Sequence, residues 1–260
     1  MITVGVVAML YWRRRSQAPW GDFWLGALAW CVSVALKFVW AAPTNRFIHR
    51  WLEQSLPGWL ASPLFELYVG LLTGIFECGF TLLIVRKTRL RSAGWNSAIA
   101  FGVGFGAIEA IMVGLLNFVG TLASILYWEQ LAEAERTTVA AQTAMGVPAI
   151  LLPAVERFVT LVIHVFSCIL IAYGVRARQE VWFWMSFTYK SAVDAFAAWS
   201  IVSSQLTKSL TGLIILEMVV AAFAALGLMG LASMRRRFEA LDAPECVVPA
   251  AVARPTTPTA

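Results

Sequence analysis

Residues 97–128 read SAIAFGVGFGAIEAIMVGLLNFVGTLASILYW, and Glu109 is the one charged residue among them. A helix needs about 20 apolar residues to cross a hydrocarbon core of about 30 Å. This stretch exceeds that, so it can tilt or project beyond the bilayer. Gly102, Gly106, Ala110 and Gly114 recur every four residues. They form a small-residue ridge against which a second helix can pack closely, with Glu109 beside it. Six more apolar segments flank this one, at 1–12, 22–42, 63–85, 149–175, 181–203 and 209–234. The whole chain is 60% hydrophobic and 13% charged, with a mean hydropathy of +0.74. Soluble domains are about 45–50% apolar and about 25% charged. A water-soluble fold is therefore excluded. A membrane β-barrel would show short alternating segments, and the sequence has none. The reading is all-α: a polytopic membrane helix bundle of about seven transmembrane helices.

Basic residues set the expected orientation. With alternating spans, one side receives Arg13, Arg14, Arg15, Arg86, Lys87, Arg89, Arg91, Arg176, Arg178 and Arg235 to Arg237. The other receives Arg46, Arg50, Arg136 and Lys208. This bias predicts an outer N-terminus and a cytoplasmic C-terminus in a bacterial cytoplasmic membrane. The first segment is short, and its charges follow the apolar run, unlike a signal peptide. The net charge of +5 comes from these flanking residues, and no motif points to nucleic acid. Cys31, Cys78, Cys168 and Cys246 contain no CxxC pair, which argues against a disulfide framework or structural zinc. Residues 44–60 carry Phe47, Ile48, Trp51 and Leu52 on one helical face and suggest a short interfacial helix. Residues 129–143 suggest a second helix above the membrane. The bundle is expected over 1–237, followed by a proline-bearing, disordered cytoplasmic tail over 238–260.

Ionisable groups inside spans are costly and mark function by default. They are Lys37, Glu66, Glu77, Glu109, Glu156, Arg157, His164, Lys190, Asp194 and Glu217. Glu66 lies near a span start, and Lys37 can snorkel outward, so neither demands a special role. Glu77, Glu109, His164 and Asp194 fall at similar depth on four helices, which predicts a shared polar site. Lys190 and Asp194 are four residues apart and can pair, for structure or for function. Arg157 and His164 are seven apart and share a stripe. Glu156 with Arg157 reads as a structural pair, and Glu217 as a hydrogen-bonded carboxylic acid or a working one.

The same residues resemble the YhfC family of intramembrane metalloproteases, relatives of the CAAX-type prenyl proteases and bacteriocin-processing membrane proteins. The resemblance covers roughly residues 11–203. It rests on Tyr11 to Arg15, Phe23 to Ala27, Gly74 to Glu77, Phe101 to Ile111, Glu156-Arg157 with His164, and Lys190 to Asp194. It implies a CAAX-protease-like bundle with a buried site where glutamates and histidines bind a metal or activate water. It also implies catalytic roles for Glu109, His164, Glu77 and Asp194, and a ligand set of Glu109, His164 and Asp194. The chain departs from that pattern. Cys78 stands where a second Glu is usual, Thr81 or Leu82 near an Arg place, Phe105 at a His place, and Lys190 at another His place. The cofactor implied is a divalent metal such as zinc. Only His49 and His164 exist in the chain, and His49 lies between spans. Catalytic zinc commonly uses two or three histidines, which counts against it here.

Three functions compete on the sequence. The first is intramembrane proteolysis, cutting peptide bonds near mid-bilayer, with the departures leaving present activity open. The second is a non-catalytic scaffold that binds other membrane proteins. The third is a transporter, disfavoured because no duplicated half carries matching broken helices. The partners expected are the lipid bilayer and a membrane-protein client.

Overall fold

The computed structural model describes residues 1–242, apart from the side chains of residues 149 and 150. The described chain is helical throughout, with short turns and no strand. The helices are α1 (Ile2–Ser16), α2 (Trp20–Ser55), α3 (Gly58–Thr73), α4 (Gly79–Lys87), α5 (Trp95–Leu126), α6 (Glu133–Ala144), α7 (Val147–Ala177), α8 (Val181–Val202) and α9 (Leu210–Asp242). A π-helical segment, Gly74–Cys78, joins α3 to α4 without interrupting the rod.

Five of these rods are long and apolar enough to cross a membrane: α2, the continuous Gly58–Lys87 rod, α5, residues 151–177 of α7, and α9. The α1 helix has 15 residues, about 22 Å at 1.5 Å per residue, short of the hydrocarbon core. The α8 helix carries Lys190 and Asp194 within its 22 residues. Residues 44–60 do not form the expected separate interfacial helix. The α2 helix runs unbroken for 36 residues, through Pro43 to Ser55. The apolar face of 44–55 is used within this one rod, where Leu52 is buried against Ala61 and Phe65 of α3. The helix expected near 129–143 is α6. The α9 helix extends to Asp242, and the rest of the expected tail, from residue 243, lies outside the described residues.

Five rods make a ring: α2 packs on α3 and α5, α3 on α8, α8 on α7, and α7 on α5. The α1 helix lies outside against α5, and α9 outside against α7. Glycine makes these approaches close. A Cβ on Gly26 of α2 would lie 2.0 Å from the Phe101 carbonyl oxygen of α5, and one on Gly104 would lie 2.0 Å from that of Phe23. The ridge predicted on α5 faces α7: a Cβ on Gly102 would lie 2.9 Å from the Val165 Cα, and one on Gly106 3.2 Å from that of Leu161. Lipid tails offer no hydrophobic drive for helix association, so this intimate contact supplies the van der Waals attraction that does. Phe23, Phe101, Phe105 and Ile169 fill the core between these helices.

The arginine-bearing ends of the helices are tied together at one end of the bundle. Arg89 grips Asp22 at 2.7 Å, and Arg176 pairs with Asp242 and donates to the Ala93 carbonyl at 3.3 Å.

Candidate functional site: a buried network of carboxylates and cations

The middle of the ring is polar. Glu109 comes from α5 and is held by three donors. Arg157 Nη1 lies 2.6 Å from Oε1, while Trp30 Nε1 donates to Oε2 at 2.8 Å and His164 Nε2 lies 2.7 Å from the same oxygen. Arg157 bridges onward to Glu156. The seven-residue spacing of Arg157 and His164 thus puts both on one carboxylate, as the shared stripe predicted.

Glu77 sits in the π-helical segment. A π turn inserts an extra residue and re-aims the side chains around it, and such turns recur at functional positions. Here the segment delivers Glu77 to two ammonium groups: Lys37 Nζ at 2.7 Å from Oε1 and Lys190 Nζ at 3.1 Å from Oε2. Lys37 also donates to Thr73 Oγ1 at 3.2 Å and lies 3.8 Å from Asp194, which in turn accepts from the Thr73 hydroxyl.

Lys190 joins the two halves, for its Nζ lies 3.3 Å from His164 Nδ1. An ammonium has only protons to give, so Nδ1 accepts. That assigns the imidazole proton to Nε2, where it is donated to Glu109. The result is one continuous chain of contacts: Glu156, Arg157, Glu109, His164, Lys190, Glu77, Lys37, Asp194. It joins four carboxylates to two lysines and an arginine through one imidazole. Glu77, His164 and Lys190 are each about 4% exposed. Asp194 at 28% and Lys37 at 21% lie at its flank.

The structure therefore brings together Glu77, Glu109, His164, Glu156, Arg157 and Lys190, with Asp194 at the edge. The four-residue pairing of Lys190 with Asp194 is not made: Lys190 turns to Glu77, and Asp194 to Thr73 and Lys37. Lys37, set aside as a snorkelling residue, belongs to the network. Trp30 and Thr73 were not nominated at all. Glu66 is buried and accepts from the hydroxyl of Ser203, the residue that closes α8.

The fit to a divalent metal is poor. Among the described residues, no three His, Cys, Asp or Glu side chains converge as a metal ion requires. Of the nominated ligands, Glu109 and His164 meet, whereas Asp194 joins Lys37 and Thr73. The imidazole nitrogen not used by Glu109 faces an ammonium, which repels a cation. The Phe105 ring packs 5.3 Å from the His164 ring, so that position faces the site and offers no donor. Cys78, next in the chain to Glu77, is buried between the Ser167 and Ser186 hydroxyls.

A family model described as YhfC intramembrane metalloprotease matches residues 1–221. No curated protein and no solved structure matches the chain. The apolar rods and this match identify an integral membrane protein that belongs to the YhfC intramembrane metalloprotease family.

Proposed function

We propose that this chain is a YhfC-family protein of proteolytic ancestry that binds a segment of another membrane protein without cutting it. One observation carries the reading: the Lys190 ammonium lies between Glu77 at 3.1 Å and His164 Nδ1 at 3.3 Å. Metal-dependent hydrolysis needs a cation held there by free donors, with an open position for water. Here a side chain supplies the positive charge and leaves no open coordination. Glu109 has Oε1 bonded to Arg157 and Oε2 to Trp30 and His164, and three donors, two of them charged or buried, lower its power to take a proton from water. At one end of the network, Lys37 and Asp194 remain partly exposed inside an apolar medium, where uncovered charge is costly. A partner helix with polar side chains would cover them. The bias of basic residues supports a cytoplasmic position for the arginine-bearing end.

Photo-crosslinking tests this in the native membrane. A crosslinker at Ala197, an exposed position on α8 near Asp194, should capture a discrete membrane protein of unchanged length. Capture should survive Glu109→Gln and be lost in Lys37→Ala/Asp194→Ala. A shortened partner that becomes full length in Glu109→Gln would instead establish proteolysis. That second reading rests on the 2.7 Å carboxylate–imidazole contact of Glu109 with His164, the pairing by which an imidazole is oriented for proton transfer.

A further inference from the structure

We propose that the arginine-bearing end of the bundle contains a binding site for the phosphate headgroup of an anionic phospholipid. A cleft of about 540 Å³ opens there between α4, the strap that follows it, and the turn from α7 to α8. Arg86, Lys87, Arg91 and Arg178 line its polar side, while Leu82, Leu83 and Phe183 line the other. A second recess of about 430 Å³ adjoins it, shares Arg91 and Arg178, and adds Arg176.

The backbone that carries the basic groups is anchored. In the strap Arg89–Ser92, the Thr88 hydroxyl accepts from the Leu90 amide, Leu90 is buried, and Arg89 grips Asp22. This anchors the strap from which Arg91 reaches the rim. Arg178 closes α7 in the left-handed conformation, φ 55°, normally left to glycine or asparagine. This turn sets its side chain beside Arg91. One acidic side chain, Glu180, lines the cleft and lies 3.9 Å from Arg86. Lys87, Arg91 and Arg178 have no ion-pair partner among the described residues. Positive groups of this density attract phosphate, and arginine matches its oxygens in a bidentate fashion. The apolar wall selects the source. Leu83 is 49% exposed and lies one helical turn from Arg86 on α4. A headgroup could sit among the arginines while its chains continue down that wall, as basic pockets between membrane helices hold anionic lipids. A soluble phosphate would gain nothing from it.

The test uses full-length protein purified in neutral detergent, with lipid adducts counted by native mass spectrometry. Phosphatidylglycerol should be retained in preference to phosphatidylcholine. Arg91→Ala/Arg178→Ala should weaken that retention by about 30-fold, the effect of two basic groups near an anionic surface. Arg13→Ala/Arg14→Ala removes the same net charge at another helix end and should leave it unchanged. Millimolar inorganic phosphate should not compete. Equal retention of both lipids by the wild type would overturn the proposal without recourse to any variant. So would equal weakening by the two double variants, which would reduce the effect to general surface charge. Displacement of phosphatidylglycerol by inorganic phosphate would reassign the cleft to a soluble phosphate and overturn the lipid reading.

Discussion

At the centre of the bundle, Lys190 is 4% exposed and touches a carboxylate and an imidazole. At the arginine-bearing end, Arg86 is 52% exposed and reaches Glu180 at 3.9 Å. Both are basic side chains within reach of a glutamate, yet their energetics are opposite in kind. Water and salt screen the outer pair, which contributes little to folding and stays available to a ligand. The inner group has no solvent to fall back on. Each charge there depends on its neighbours, and removing one strands the rest. Density of partners, rather than number of charges, separates a structural network from a recruiting surface.

Neutralising the core cation should have the largest effect. Lys190→Ala leaves Glu77 with one partner and His164 Nδ1 with none. It should lower stability by about 3–5 kcal/mol, read as a fall in Tm of the purified protein in detergent. A loss below about 1 kcal/mol would mean that water already enters the network. Arg157→Ala should cost less, about 2–3 kcal/mol in the same measurement, because Glu109 keeps His164 and Trp30. Lys37→Ala should cost about 1–2 kcal/mol, its ammonium lying at the partly exposed flank. Arg86→Ala, at the other extreme, should change stability by no more than about 0.5 kcal/mol. Raising salt should erase that small difference and leave the Lys190→Ala loss intact.

A gain-of-function change sharpens the contrast further. Phe105 and Lys190 both adjoin His164, and the resemblance to the family implies histidine at both places. Phe105→His/Lys190→His replaces one apolar and one cationic neighbour with donors. The double variant should acquire about one equivalent of zinc during purification. Failure of a folded double variant to bind zinc would show that Lys37 and Arg157 suffice to repel the ion.

Much of this was legible in the sequence, and the limits have physical causes. Apolar runs and the four-residue ridge on α5 encode helices and their close packing, both local properties of the chain. The common depth of Glu77, Glu109 and His164 followed from counting rise per residue. Partner choice did not follow, because it depends on which helices are neighbours. The four-residue spacing of Lys190 and Asp194 suggested a local pair, but a carboxylate on the adjacent rod offered Lys190 a buried partner. Lys37 was read as reaching outward, since its helix seemed to end near residue 42. The α2 helix instead continues to Ser55, and Lys37 lies well inside the rod. Trp30 carries no charge and gives no signal of its role. It becomes visible only when its indole N–H is seen to meet Glu109.

The central claim is that side-chain cations occupy the place where this family's pattern implies a metal. Elemental analysis of the purified full-length protein, wild type beside His164→Ala, tests it most directly. The account predicts less than about 0.1 equivalent of any transition metal in either sample. About one equivalent in the wild type, lost in His164→Ala, would contradict it and restore a metal-dependent site.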